Sequence, residues 1–200
     1  MPRTADPADI PNRLITSGLE LFLLHGYNAT GIQQITDRAG VPKGSFYNHF
    51  SSKEAFAAAV VDQYAQHMQR SWERFMRDAP AEPLAAIRHV FDQMLDYHQS
   101  RVSCPVGCLM GNFAAEIAAS SEPCRQSLMP AQLAWRDRLA GLIAAAQESG
   151  DIRNDIDATA LSALTWNAWE RALLRMKVEH SIKPVRDSIA LIFDHLFRPA

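Results

Sequence analysis

The sequence is poor in cysteine, with three among 200 residues. An odd number of cysteines in a chain of this length argues against the disulfide framework of a secreted protein, and free thiols fit a reducing compartment. No apolar run reaches the length of a transmembrane helix, and the chain does not begin with the basic and then apolar pattern of a secretion signal. We therefore expect a cytoplasmic protein that has no contact with a membrane.

Positive charge is not in excess either, since the net charge is −2 at neutral pH. This balance does not by itself point to nucleic acid, so an electrostatic argument has to rest on a local patch. From Arg38 to Lys53 the chain has no acidic residue and three fixed positive charges. This segment therefore favours a polyanion.

Strand-like alternation, internal repeats and low-complexity segments are also missing from the sequence. Apolar residues recur instead at helical spacing, and a hydrophobic content of 48% is enough to bury a sizeable core. We predict an all-α chain. It should include a long helix from Glu54 to about Asp78, another from about Cys108 to Ala119, and one that Pro130 should kink or split.

A short helix is predicted after Thr30. Thr30 and Gln33 fit a capping box, in which side chains satisfy the first backbone N–H groups of a helix, so the helix should start at about Gly31. Gly40 should end it, because glycine adopts the left-handed conformation that closes many helices.

A second short helix is predicted between Pro42 and a further capping box formed by Ser51 and Glu54, which completes a helix-turn-helix. On a helical wheel Phe46 and Phe50 share the face that should point inward. The opposite face holds small and amide side chains: Gly44, Ser45 and Asn48. Side chains suited to phosphate contacts flank it: Lys43, Tyr47 and His49. Such a helix could approach a groove floor closely and read adenine edges through an amide.

The string VPKGSFYNHF resembles the recognition helix of the tetracycline-repressor (TetR) family, and the preceding LELFLLHGYNATGIQQITDRAG resembles the first two helices of that family. The resemblance implies a helix-turn-helix DNA-binding domain at residues 1–52 and an effector-binding and dimerisation domain at 53–200. It further implies a homodimeric repressor that binds double-stranded DNA at a near-palindromic operator, is released by a small organic effector and needs no cofactor. The DNA-binding residues predicted in this way are Thr30, Gln33, Gln34, Lys43, Gly44, Ser45, Tyr47, Asn48, His49 and Lys53.

The same resemblance assigns the final two helices to a four-helix dimer interface. The last helix carries a wide apolar stripe that includes Phe193 and Phe197, and such a stripe needs something to bury against. The competing interpretation is that these helices complete the core of the monomer.

Two further segments, CPVGCLMGNFAAEIA and WNAWERALLRMKVE, resemble the branch of the TetR family that responds to acrylate and other small electrophilic or short-chain organic compounds. That branch places a cysteine, an amide and a carboxylate in the first segment, which here are Cys108, Asn112 and Glu116. Their i, i+4 spacing independently puts them on one helix face, either as a satisfied buried network or as a pocket wall. Arg175 would pair with a carboxylate effector or, in the empty protein, with Glu116. The other candidates for an effector site are aromatic, methionine or histidine side chains: Trp72, Phe75, Met94, Tyr97, His98, Trp166 and Trp169.

One other interpretation stays open, and two are disfavoured by the residues. Covalent modification of Cys104, Cys108 or Cys124 would make the protein a redox or electrophile-sensing repressor. A zinc site built from these cysteines and His98 would lack the usual ligand spacing, so we expect no metal and interpret the cysteines as small buried hydrophobes. An enzyme would need a complete catalytic constellation, which the sequence does not show.

Overall fold

The computed structural model describes residues 9–101 and 107–199. Within these ranges the chain is helical and forms no strand, so the all-α prediction is confirmed. The helices are α1 (Ile10–His25), α2 (Ile32–Ala39), α3 (Lys43–Tyr47), α4 (Lys53–Arg77), α5 (Pro83–Gln99), α6 (Leu109–Glu116), α7 (Glu122–Glu148), α8 (Ala158–Glu179) and α9 (Lys183–Leu191), and α9 continues into a π-helical turn, Ile192–Leu196. No helix of the described residues is long and apolar enough to cross a membrane.

Glycine and proline set several helix ends. Gly26 follows α1 with a φ of 82°, and Gly40 follows α2 with a φ of 63°. Both angles lie in the positive region that favours glycine, because a Cβ atom would be strained there. Pro83 opens α5, where its missing N–H group would have had no partner inside the helix. Gly40 therefore ends α2 as the sequence predicted, and Gly26 ends α1 through the same backbone freedom.

The capping residues differ from the prediction by one position. The N–H group of Gly31 donates to Oε1 of Gln34 at 2.6 Å, so Gln34 and not Gln33 closes the start of α2. The Thr30 hydroxyl donates instead to the carbonyl of Gly26 at 2.7 Å, which ties it to the preceding turn. The start of α4 shows the same shift, because Oγ of Ser52, not Ser51, accepts the capping hydrogen bond at 3.1 Å.

The expected effect of Pro130 is wrong in part, because α7 is not split. It runs unbroken from Glu122 to Glu148 with Pro130 inside it. A proline removes one backbone hydrogen bond, and the burial of Leu128, Trp135 and Leu139 on either side of it offsets that loss. In contrast, α6 is shorter than predicted and ends at Glu116.

The chain divides into two compact units. The first unit consists of Met1–His67 and Cys108–Ala131, and the second of Met68–Gly107 and Gln132–Ala200. Helix α6 and the start of α7 therefore pack with the helix-turn-helix. The predicted division into a DNA-binding domain at 1–52 and an effector-binding domain at 53–200 concerns function and not compactness, so it stays a prediction.

Aromatic rings form the core of the first unit. Phe113 of α6 packs edge-on against Phe22 of α1, with ring centroids 5.1 Å apart. The Phe22 ring lies 5.9 Å from that of Phe56 in α4, which in turn lies 5.1 Å from that of Phe46 in α3. A Cβ atom at Gly18 would overlap the Phe56 ring, so glycine is what allows α1 to approach α4 this closely. These rings connect α6, α1 and α4 to the predicted recognition helix.

In the second unit the end of the chain belongs to the core. The Phe193 ring lies 6.0 Å from that of Phe91 and 5.4 Å from that of Phe197. Phe193 is 8% exposed and Phe197 is 1% exposed in the single chain. The prediction that these two residues face a second subunit is therefore wrong, and the competing interpretation holds for them, because burying aromatic rings against α5 already removes their apolar surface from water.

Candidate nucleic-acid interface and effector site

Helix α3 is anchored by its aromatic side chains. Phe46 is fully buried, and its ring lies 5.6 Å from that of Phe50. The Phe50 ring also packs edge-on against Phe56, at 4.9 Å. Both phenylalanines thus face the protein, as the helical wheel predicted, although α3 ends at Tyr47 and Phe50 follows it. Their ring contacts hold α3 against α4.

The opposite face of α3 is open. Gly44 is exposed, and a Cβ atom added there would meet no other atom within 4 Å. Ser45 is half-buried, while Asn48, which follows the last helical residue, is exposed. The flanking Lys43, Tyr47 and His49 are exposed as well. A surface with small side chains in the middle and donors at its edges can approach a groove closely and bond to phosphates on both sides.

The predicted residues of α2 are also accessible. Gln33 and Gln34 are both exposed. The Gln33 amide donates to Asp37 at 2.6 Å, and the Gln34 oxygen holds the N–H group of Gly31. The structure therefore presents the two glutamines and the α3 residues to solvent.

The side chains of Thr30 and Lys53 form hydrogen bonds within the protein. Thr30 is 1% exposed. Nζ of Lys53 donates to the carbonyl of Tyr27 at 2.6 Å and lies 4.0 Å from the centre of the Tyr27 ring. Burial lowers the pKa of Lys53, against the opposing effect of the nearby Glu54 and Glu116 carboxylates. Both side chains contact the turn between α1 and α2, in contrast to the open side chains of α3.

Of the three polar residues predicted for the effector site, two are buried on α6. Cys108 precedes the first residue of α6 and is 6% exposed, and Asn112 is 9% exposed. The Tyr64 hydroxyl donates to Sγ of Cys108 at 3.9 Å. Glu116 is half-buried one turn further on, and its carboxylate accepts a hydrogen bond from the N–H group of Asn28 at 3.0 Å. Glu116 thus binds the turn between α1 and α2.

The other predicted effector residues all lie in the second unit, and several of them form two aromatic groups. In one, Trp135 packs edge-on against Trp72 at 4.9 Å and stacks on Trp166 at 5.1 Å. In the other, the rings of His98 and Trp169 lie 5.7 Å apart. Met94 is buried, Phe75 is half-buried and Tyr97 is 43% exposed.

Arg175 does not pair with Glu116. Its Nε donates to Oε1 of Glu179 at 2.9 Å, and both side chains are exposed. The two residues are one helical turn apart on α8, a spacing at which opposite charges meet without help from tertiary structure. The prediction that Glu116 is its partner in the empty protein is therefore wrong.

Sequence reasoning missed three buried polar groups of α7 and α8. Nε1 of Trp135, Nε of Arg136 and Oγ1 of Thr165 are buried and have no hydrogen-bond partner within the described chain. The hydroxyl of Ser162 donates to the carbonyl of Arg136 at 2.7 Å, so these parts of α7 and α8 touch. Trp135 was visible only as one member of an apolar stripe, and the sequence gives no sign that its indole nitrogen is unpaired.

An open groove of about 620 Å³ between α1 and α2 was also not predicted. Its polar lining includes Arg13, whose guanidinium donates to the carbonyls of Ala39 and Gly40 and so closes the end of α2. Arg38 and Glu20 form an exposed ion pair at its edge. These contacts stabilise the helix-turn-helix, which accounts for the polar side chains that line the groove.

The described cysteines are both buried. Cys124 is fully buried, its thiol donates to the carbonyl of Glu54 at 3.6 Å, and burial raises its pKa. A raised pKa disfavours the thiolate, which is the reactive form. Cys104 lies outside the described residues. Among the residues that the structure describes, no group of three His, Cys, Asp or Glu side chains is arranged to hold a metal ion.

Comparison with known proteins agrees with this arrangement of helices. Residues 14–60 match the model of bacterial regulatory proteins of the tetR family, and residues 83–192 match that of the tetracyclin repressor-like C-terminal domain. The chain belongs to the TetR family of transcriptional regulators. Both the DNA-binding role and the absence of an enzymatic role in the sequence-based interpretation are thereby confirmed at the level of the family.

Relatives in the TetR family cover nearly the whole chain. The HTH-type transcriptional repressor DhaR of Mycobacterium sp. (strain GP1) is 33% identical over 187 residues, which are 94% of this chain and 92% of the relative. The transcriptional regulator AcuR of Cereibacter sphaeroides is 35% identical over 179 residues, or 89% and 81%. A crystal structure of the regulatory protein TetR from Rhodobacter sphaeroides superposes with a TM-score of 0.86 at 31% identity and covers 94% of this chain and 98% of that one.

Proposed function

We propose that this TetR-family regulator is a homodimeric repressor that binds a near-palindromic operator through α3 and leaves it when a small organic effector binds. The proposal rests on the difference between the two sides of α3, one aromatic and buried and the other open to solvent. Phe46 and Phe50 hold the helix from inside, while the open side consists of small and polar residues. Such a helix is rigidly held and yet free to enter a major groove.

In α3 and the two residues that follow it we assign two kinds of DNA contact. Ser45 and Asn48 would touch base edges, because they lie on the open face and offer a hydroxyl and an amide. Lys43, Tyr47 and His49 would bind phosphates, because they flank that face with donors. A homodimer carries two copies of α3, so its operator should have half-sites about one helical turn apart.

The exposed apolar residues of the last two helices support an assignment of the dimer interface to α8 and α9. Leu164 of α8 is 52% exposed, Val178 of α8 is 82% exposed, and Leu191 of α9 is 60% exposed. A symmetric dimer would bury the same patch of both subunits. These residues replace Phe193 and Phe197 in our assignment.

We propose that the effector is a small compound that disturbs the polar residues Cys108 and Asn112 at the start of α6. Asn112 is a buried polar residue on a largely apolar helix, and Cys108 lies buried one turn before it, so both are candidates for contact with the polar part of a small compound. Trp166 and Trp169 belong to the second unit and stay candidates for effector contacts on the sequence argument alone. Effectors of this kind act by binding the form that does not bind DNA more tightly, with coupling free energies of about 1 to 3 kcal/mol.

The proposal can be tested in two steps. A binding selection from random DNA should return a sequence with two inverted half-sites, and fluorescence anisotropy should then measure the affinity for it with and without acrylate. Recovery of no preferred sequence would contradict the proposal. If acrylate weakens binding, Asn112→Ala should reduce that weakening while the affinity without acrylate changes little.

The alternative mechanism is a covalent thiol switch. The burial and raised pKa of Cys124 argue against that residue as the reactive thiol, which leaves Cys108 as the described candidate. Cys108→Ser distinguishes the mechanisms. A reversible effector site should keep most of its response to acrylate, whereas a covalent switch should lose it, together with any mass increase of the exposed protein.

A further inference from the structure

Three hydrogen-bond donors are buried without a partner where α7 meets α8 in the second unit. They are Nε1 of Trp135, Nε of Arg136 and Oγ1 of Thr165, and none of them has a hydrogen-bond partner among the described residues. Thr165 is fully buried, Trp135 is 2% exposed, and Arg136 is half-buried with its Nε atom inside. Because each buried polar group without a partner is costly, three of them together indicate an acceptor that comes from outside the chain.

Two contacts place the three donors at the same stretch of α7 and α8. The hydroxyl of Ser162 donates to the carbonyl of Arg136 at 2.7 Å. The Trp166 indole stacks on that of Trp135, with ring centroids 5.1 Å apart. Thr165 follows Ser162 by three residues and so shares its helix face, and it directly precedes Trp166. Its buried hydroxyl therefore lies at the part of α7 that carries Trp135 and Arg136.

The chemistry of the three groups defines the class of ligand. An indole N–H group and a guanidinium Nε–H group can only donate a hydrogen bond, and a threonine hydroxyl can donate as well. Arg136 adds a fixed positive charge, and its guanidinium forms no ion pair with the described residues. A carboxylate suits this set, because its two oxygens carry negative charge, accept about four hydrogen bonds and donate none.

The surrounding rings limit the size of the ligand. One face of the Trp135 indole is covered by Trp166, and Trp72 packs edge-on against the same indole at 4.9 Å. Protein interiors are packed as densely as organic crystals, so a ligand beside these rings has to be small. A carboxylate with a short apolar chain can place its oxygens at the donors and its carbon atoms against the indole rings.

We propose that α7 and α8 bind a short-chain carboxylate through Trp135, Arg136 and Thr165. The proposal goes beyond the function proposed above, because Cys108 and Asn112 belong to the first unit and the three donors to the second. Arg136 supplies the positive charge at this site, and the indole and the hydroxyl fix the orientation of the carboxylate. The ligand thereby bridges α7 and α8.

Propionate is the probe for this site, and propionamide is its control because it has nearly the same shape without the charge. In proton–nitrogen correlation spectra of the free protein, each tryptophan gives its own indole signal, and Trp135→Phe identifies the signal of Trp135 by its loss. If Trp135→Phe does not fold, the same substitution at the other three tryptophans identifies the signal by elimination. Sodium chloride at equal concentration corrects for ionic strength.

Propionate should shift the Trp135 indole signal downfield in a saturable titration, because a hydrogen bond to a carboxylate deshields the indole proton. Propionamide should bind at least about 10-fold more weakly, because hydrogen bonds to a charged acceptor are the stronger ones. A Trp135 signal that propionate leaves in place would overturn the proposal, since the donors are then satisfied by water. Equal shifts with both compounds would overturn it too, because the site would not recognise the charge.

Two variants test the other donors. Arg136→Gln and Thr165→Val should each weaken propionate binding by about 10-fold or more. The matched control is Arg138→Gln, because the Arg138 guanidinium, also on α7, donates to Gln69, and this variant should bind propionate like the wild type. Unchanged affinity in both Arg136→Gln and Thr165→Val would overturn the proposal.

Stability without ligand separates a binding group from a structural one. Thr165→Val keeps the shape of the side chain and removes a buried hydroxyl that has no partner, so the melting temperature of the empty protein should stay the same or rise. A lower melting temperature would overturn the proposal, because the hydroxyl would then serve the fold. All these measurements use the free protein. If the wild type selects no operator, the proposed function fails, whereas the propionate titration still decides the carboxylate site.

Discussion

The open face of α3 and the exposed face of α8 and α9 are two accessible surfaces of opposite chemistry. Around α3 most exposed residues are small, polar or cationic, among them Lys43, Gly44, Asn48 and His49, and Tyr47 is exposed beside them with its hydroxyl group. On α8 and α9 they include large aliphatic side chains, and Leu164 and Val178 lie about four helical turns apart on α8. Exposure alone therefore does not define a functional surface. A polyanion requires donors at the surface, whereas a second subunit requires apolar area.

The largest effect is expected on stability, from a substitution in the core beneath the exposed apolar face of α8 and α9. Phe197→Ala should lower the free energy of unfolding by about 3 to 5 kcal/mol, because it leaves a cavity at a side chain that is 1% exposed. Thermal and urea denaturation measure this loss, and the protein that remains folded should still sediment as a dimer. A folded monomer of full stability would return Phe197 to the interface.

A charge on the exposed apolar face should dissociate the dimer. Val178 is 82% exposed in the single chain, so Val178→Asp leaves the fold intact but places two like charges in a symmetric interface. Operator affinity should fall by about 100-fold or more, because a buried unpaired charge is costly and binding requires both subunits. Analytical ultracentrifugation gives the oligomeric state.

The control for this change is Leu133→Asp, which puts the same charge on an exposed apolar position of α7. This variant should stay dimeric. If Val178→Asp also stays dimeric, the apolar face of α8 does not pair subunits.

Substitutions in and just after α3 should show which residues set the overall affinity for DNA and which set the preferred sequence. Tyr47→Ala should weaken binding to all sites to a similar degree, while Asn48→Ala should change the preferred sequence, each at a cost of about 1 to 3 kcal/mol. Repeating the binding selection with each variant measures the difference. Asn154→Ala, which removes an exposed asparagine from the loop before α8, is the control and should behave as wild type. An unchanged consensus in Asn48→Ala would remove Asn48 from the base-reading face.

The smallest effect is expected for Arg175. Its ion pair with Glu179 is exposed, so Arg175→Ala should change the free energy of unfolding by less than about 1 kcal/mol. The response of operator binding to acrylate should also persist. Loss of that response would restore Arg175 as the cation of the effector site.

Local chemistry made much of the fold predictable, and long-range contacts made the rest unpredictable. Gly40 ends α2 because of its own backbone freedom, so the sequence alone predicted this helix end. Periodicity could not show that Phe197 is buried while Leu191 is exposed, because both are apolar residues of the last helical segment.

The same distinction applies to the candidate sites. The inner and outer faces of α3 followed from the spacing within one short helix. The partner of Glu116 did not, since Asn28 lies 88 residues away in the sequence. By contrast, the i, i+4 spacing of Arg175 and Glu179 is by itself a sequence signal for their ion pair.

The salt dependence of operator binding tests most directly the claim that α3 and its flanking residues bind the DNA backbone. Log affinity for the selected operator should fall linearly with log salt concentration, with a slope that reflects several phosphate contacts. Lys43→Ala should reduce the steepness of that slope by about one, or by about two when both subunits of a dimer contribute. A flat slope, or a slope that Lys43→Ala leaves unchanged, would contradict this account.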